Sequence, residues 1–135
     1  MADVMEEKSK SSAELLSGEE CLSLLKCHSL GRIGLSINAL PAILPVVYKV
    51  IEDLIVVDGW GSARIGEALS QSVVAFEVDD VVDERGCGWS VLVIGVATSI
   101  GEEAGNLTGV ETDRSCGSFV IRPDIISGRR INRND

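Results

Sequence analysis

The stretch that decides the fold is Gly31-Arg32-Ile33-Gly34-Leu35-Ser36-Ile37. Ile33, Leu35 and Ile37 alternate with small or polar residues, which is the two-residue period of a strand with one buried face. Immediately C-terminal, Asn38-Ala39-Leu40-Pro41 reads as a turn, and Ile43 to Val50 reads as a second strand interrupted by Pro45. Proline has no N–H to give to a ladder, so Pro45 belongs on a sheet edge or beside a ligand. Glu52-Asp53 forms a tight hairpin turn into a third strand, Leu54 to Val57. Parallel crossovers need a dozen or more residues, so connections this short make the sheet antiparallel.

Upstream, Ser17-x-x-Glu20 has the form of a capping box, and the helix it opens puts Cys21, Leu22 and Leu25 on one face. That helix is expected to end near His28. Residues 1–16 are polar, charged and Ser-rich, and are expected to form a flexible leader ahead of a single domain spanning 17–131. Downstream, Asp58-Gly59-Trp60-Gly61 breaks the third strand. Ile65, Ala68 and Leu69 then follow helical spacing, with Ser62 as N-cap of a short helix. Val73 to Val78 is a fourth strand and Asp79 to Gly88 an acidic loop. Trp89 to Thr98 is a fifth strand and Gly101 to Gly117 a Gly-rich loop. Ser118 to Arg122 is a sixth strand, closed by Pro123. The expected fold is mainly β: a six-stranded antiparallel split β-barrel with two short helices.

Composition narrows the function classes. The 135 residues suit one domain, and 45% hydrophobic content with only 4% aromatics implies a core of Val, Ile, Leu and Ala. A formal net charge of −9 would repel duplex nucleic acid. Arg129, Arg130 and Arg133 form the one basic cluster, which reads as a solvated tail or an intersubunit contact. No apolar run reaches the roughly 18 residues of a membrane span. Four cysteines without a Cys-x-x-Cys pair, and a single histidine, point to reduced thiols and no metal site. The expected setting is therefore cytoplasmic, without nucleic-acid or membrane partners. Asp79, Asp80, Asp83 and Glu84 lack calcium-loop spacing and read as a solvated turn. His28 sits at a helix C-terminus, where an imidazole is a favourable dipole partner, and no Ser-His-Asp triad is available. No catalytic residue is assigned.

Six segments, in order and spacing, resemble the pyridoxamine-5'-phosphate-oxidase-like family of flavin-binding split barrels. They are Leu30-Gly31-Arg32-Ile33-Gly34, Leu44-Pro45-Val46-Val47-Tyr48, Gly61-Ser62-Ala63-Arg64-Ile65, Val74-Ala75-Phe76-Glu77-Val78-Asp79, Gly88-Trp89-Ser90-Val91 and Ser127-Gly128-Arg129-Arg130-Ile131. The resemblance implies a homodimer that binds flavin mononucleotide (FMN) at its interface. It implies that Pro45, Val46, Val47 and Tyr48 line the isoalloxazine, that Arg64 meets the phosphate with Ser62 nearby, and that Trp89 and Ser90 lie beside the cofactor. A helix N-terminus favours an anion, and a guanidinium grips phosphate through paired bonds, so Ser62 and Arg64 suit that role. Asp58, Ala63 and Trp60 depart from the family pattern: a carboxylate stands where Thr or Ser is usual, a hydroxyl is missing, and a bulky ring enters the loop. The function implied is an FMN-dependent oxidoreductase acting on a small molecule, in which the flavin supplies the redox chemistry. The alternatives are a non-enzymatic module for flavin, deazaflavin or haem, and a degenerate barrel acting through its dimer surface.

Overall fold

The computed structural model describes residues 12–58, 69, 71–99 and 118–132. Helix α1 spans Gly18–Lys26, and both bonds of the capping box form. The Glu20 N–H donates to Ser17 Oγ and the Ser17 N–H to Glu20 Oε1, each at 3.1 Å. Hydrogen bonding of the carboxylate by the Ser17 backbone N–H, and secondarily by the Ser17 side chain, holds the Glu20 carboxyl below its ordinary range. The helix ends at Cys27, where the Cys27 N–H donates to the Leu24 carbonyl and the His28 N–H to the Leu25 carbonyl.

Seven strands follow the chain among the described residues: β1 Ser12–Leu15, β2 Leu30–Ile37, β3 Leu40–Ile51, β4 Leu54–Val57, β5 Ser72–Val81, β6 Gly88–Ser99 and β7 Phe119–Asn132. All pairings are antiparallel, in the order β1-β7-β4-β3-β2-β5-β6, and β6 also pairs with β7. The last pairing closes β7-β4-β3-β2-β5-β6 into a six-stranded barrel. This is the expected antiparallel barrel, with β1 as an additional strand laid on β7.

Three differences from the sequence reading have physical causes. First, β1 falls within the segment expected to be a leader. Only Phe119–Ile121 of β7 pairs with β4, so the far end of that strand has an open edge, and β1 pairs there along Arg129–Asn132. Second, the last strand does not stop at Pro123. The register shifts between Ile94 and Gly95, so the chain bulges at Pro123–Asp124 and pairing resumes at Ile125. Third, the acidic loop is shorter than its composition suggests. Asp79, Asp80 and Val81 remain in the ladder opposite Ser90, Trp89 and Gly88, leaving Asp83 to organise the turn. Its Oδ1 accepts the N–H groups of Arg85 and Cys87. The second expected helix lies outside the described residues except for Leu69, which is buried in the core.

Inward side chains follow the strand alternation. Ile33, Val46, Tyr48, Phe76, Val91 and Ile121 meet in one cluster, into which α1 inserts Cys21 and Leu25. The Tyr48 and Phe76 rings meet edge to face, 4.9 Å apart.

Both hairpins around β3 use two-residue connections, Asn38-Ala39 and Glu52-Asp53, and all four residues have positive φ. This matches the twist of antiparallel hairpins, but without glycine it costs about 1 kcal/mol per non-Gly residue. Ala39, at φ 65°, has no polar side chain to compensate. Ala39→Gly is therefore expected to raise the melting temperature by about 3 °C. Gly95→Ala is expected to lower it by several degrees, because a Cβ there would collide with the Arg122 carbonyl at the bulge. Thermal melts followed by circular dichroism measure both.

Candidate functional site

The main chain of β3 defines the site. The Tyr48 N–H donates to the Ser29 carbonyl on the β2 side, whereas the Val47 carbonyl accepts the Asp58 N–H on the other side. Main-chain direction alternates along a strand, so the odd-numbered residues of β3 turn their polar groups away from β2. Strand β4 covers that edge only along Tyr48–Ile51. From Leu40 to Pro45 no described strand covers it. Pro41 and Pro45 are both odd-numbered and lie on this open edge, where a missing N–H breaks no ladder bond. Among the described residues, no strand pairs with the Pro45 carbonyl or the main-chain groups of Ile43 on this side.

Side chains follow the same parity. Val46 and Tyr48 point into the core, while Pro45 and Val47 are exposed on the outer face, Val47 by 53%. Of the four residues expected along a flavin ring, Pro45 and Val47 thus present side chains outward, whereas Val46 and Tyr48 have core side chains and turn their main chain towards β2. The Tyr48 hydroxyl donates to the Leu25 carbonyl at 2.7 Å, and burial pushes its pKa up to about 12. Tyr48 thereby ties α1 to β3 directly behind the open edge.

Beside Pro45 lies an open depression of about 460 Å³, lined in part by His28, Leu30, Arg32, Asp79 and Asp80. His28 Nδ1 faces the Leu24 carbonyl at 2.8 Å and Nε2 faces Asp80 Oδ2 at 3.7 Å. Trp89 is buried and packs edge to face on His28, with centroids 4.7 Å apart. Trp89 is therefore a core residue behind the depression, and the half-buried Ser90 sits between Asp79 and Arg129 in register. The imidazole is held at the helix end as its position in the sequence suggests. Ser62, Arg64, Trp60 and Ala63 lie outside the described residues. Asp58 is described: its side chain is exposed and its N–H anchors it beside Val47.

Sequence reading missed the ionic cluster on the outer face. Arg32 Nη1 donates to Glu77 Oε1 at 3.0 Å and to Asp79 Oδ2 at 3.1 Å. Its signal was present: Arg32 interrupts the β2 pattern and Glu77 interrupts Val-Val-Ala-Phe-Glu-Val, at positions that turn out to be cross-strand partners.

Residues 17–130 match the pyridoxamine 5'-phosphate oxidase family. The chain belongs to that family. The uncharacterized protein Rv0080 of Mycobacterium tuberculosis is 35% identical over 127 residues, covering 86% of this chain and 84% of that protein. Among solved structures, a FAD-binding protein of Mycobacterium smegmatis is 29% identical and superposes with a TM-score of 0.71, covering 90% of this chain and 100% of that one. A FAD- and haem-binding protein of the same organism shares 20% identity, with a TM-score of 0.63 over 94% of this chain and 77% of that one. At that identity the likeness concerns the fold. The split barrel of the pyridoxamine 5'-phosphate oxidase family is thus the architecture that frames the β3 edge and its depression.

Separating side chain from main chain at Tyr48 gives a direct test. Tyr48→Phe removes the bond to Leu25 and is expected to destabilise the barrel by about 1 kcal/mol in urea unfolding. The same substitution is expected to leave flavin affinity within twofold, because the ring faces the core; a large affinity loss would place the hydroxyl at the ligand.

Proposed function

We propose that this chain binds a flavin, FMN, along the β3 edge and works as an oxidoreductase on a small molecule, as a cytoplasmic homodimer. The observation that carries the reading is the β3 edge at Pro45, which no described strand covers and whose proline also lines an open depression on the outer face. An isoalloxazine ring has a polar edge of alternating donors and acceptors that such a strand edge can bind, and exposed Pro45 and Val47 offer apolar contact to its face. The 29% identical structural relative is a FAD-binding protein, which supports a flavin as the ligand. When bound, the flavin would supply hydride or electron transfer. The protein's share is to hold the ring against β3 and leave its other face open to the depression.

FMN is preferred because of Ser62 and Arg64, which the family resemblance assigns to a terminal phosphate at the start of a short helix. Asp58 opposes that charge. Haem is the weaker reading for this chain: ligation through an imidazole would need His28, and both of its ring nitrogens already face protein oxygens. Support for a homodimer comes from the outer face, where Leu30, Ile43 and Val47 are 63%, 74% and 53% exposed around Pro45. A second copy over that face would also close the flavin site.

The test is a fluorescence-quenching titration of apo-protein with riboflavin, FMN and FAD. FMN is expected to bind more tightly than riboflavin. Arg64→Ala is expected to weaken FMN about 10- to 100-fold while leaving riboflavin unchanged, since hydrogen bonds to charged groups contribute about 1.5–3 kcal/mol. Asp58→Asn is expected to strengthen FMN by a smaller factor, because its exposed carboxylate is screened. Equal loss of both ligands in Arg64→Ala would make Arg64 structural. Absence of binding by any flavin at tens of micromolar would overturn the reading.

A further inference from the structure

The Arg32–Glu77–Asp79 cluster lies on the same outer face as the exposed apolar side chains. Arg32 and Glu77 are cross-strand partners on β2 and β5, and Asp79 follows two residues on, so all three share one face. Pro45 flanks the cluster on β3, and Leu92 and Ser90 flank it on β6. Among the described residues, the groups that charge or titrate around Glu77 are Arg32 from β2 and Asp79 from β5. Neither neighbour on β3 or β6 is ionisable, and Arg129 of β7 lies one strand further, opposite Ser90. One guanidinium thus serves two carboxylates. Burial, a hydrogen bond with Asp79 and the Asp79 charge push the Glu77 pKa up to about 7, against the opposing pull of Arg32.

We propose that a second copy of this chain covers the outer β3–β2–β5 face and that this association takes up a proton on the Arg32–Glu77–Asp79 cluster. The inference rests on the homodimer proposed above. A second copy suits the face because cation and anions alternate on it. Around a two-fold axis, the guanidinium of one copy meets the carboxylates of the other, while Leu30, Ile43 and Val47 supply apolar area on both sides. Covering the face desolvates the cluster. With all groups ionised, each copy would bury one uncompensated negative charge, and two such clusters would oppose each other. A proton held between Glu77 and Asp79 removes that charge. The sign follows by linkage. A carboxyl group whose pKa is higher in the dimer than in the monomer binds more protons on association. The dimer is therefore favoured at low pH and weakens as pH rises through the pKa of the covered group, at and above neutrality.

The test is sedimentation equilibrium of the full chain from about pH 6 to about pH 8.5. The dimer dissociation constant is expected to rise with pH, by up to about tenfold per pH unit for each proton taken up. Glu77→Gln is expected to flatten that dependence and keep the dimer at high pH. Asp79→Asn, which leaves Glu77 paired with Arg32, is expected to flatten it as well. A dimer whose dissociation constant is independent of pH would overturn the proton linkage while leaving the homodimer standing. So would an undiminished pH slope in both variants. Monomer at every pH at tens of micromolar would remove the homodimer and the linkage together.

Discussion

The pairing of β7 with two partners at once is the constraint on which the rest of the structure depends. Phe119–Ile121 holds β4 on one side, while the strand as a whole runs against β6 on the other. Without it the sheet would be an open ribbon with free edges at β4 and β6. A 14-residue strand cannot follow that path straight, and the bulge at Gly95 and Pro123 bends it. Glycine allows the Arg122 carbonyl to approach closely, and proline falls where the ladder is already interrupted. Closure then turns Ile33, Phe76, Val91 and Ile121 onto one interior and leaves the alternate residues outside.

The functional reading descends from that closure through β3. This strand is longer than its β4 partner, so part of its length has no described neighbour on one side. The alternation that buries Tyr48 also places Pro45 and Val47 outside, and it directs the Pro45 carbonyl towards the edge that no described strand covers, while the Val47 carbonyl is taken by the Asp58 N–H. Tyr48 is consequently a structural residue behind the proposed site. Its hydroxyl fixes α1 through Leu25, and its burial holds the edge in position. Pro45 and two members of the ionic cluster, Arg32 and Asp79, line the same depression, so the ligand binding, self-association and proton uptake proposed above would share one surface.

Much of the barrel was legible in the sequence where local signals and tertiary contacts agree. The alternation of Ile33, Leu35 and Ile37, the capping box at Ser17 and Glu20, and the turn at Glu52-Asp53 are all satisfied by neighbouring residues. The misreadings arose where distant partners decide. Ser12–Leu15 becomes a strand only because β7 extends past β4, and polar composition gives no sign of that edge. Pro123 reads as a stop until the bulge opposite Gly95 is known. Asp79 and Asp80 read as loop until β6 pairs with them. At the site, Pro45 announced an edge by its chemistry. Trp89 and Tyr48, which the family resemblance places beside the cofactor, have core side chains. The sequence marked Arg32 and Glu77 only as interruptions of two apolar patterns; that they face each other depends on the register between β2 and β5, which are far apart in the chain.

Amide hydrogen exchange with and without saturating FMN tests the central claim most directly. A flavin seated along β3 would slow exchange in peptides covering Ile43–Val47, where the edge is otherwise uncovered, and around the Asp58 amide. It would leave the core amides of β6 unchanged. Protection confined to other strands, or none at saturation, would contradict a ligand site at the β3 edge.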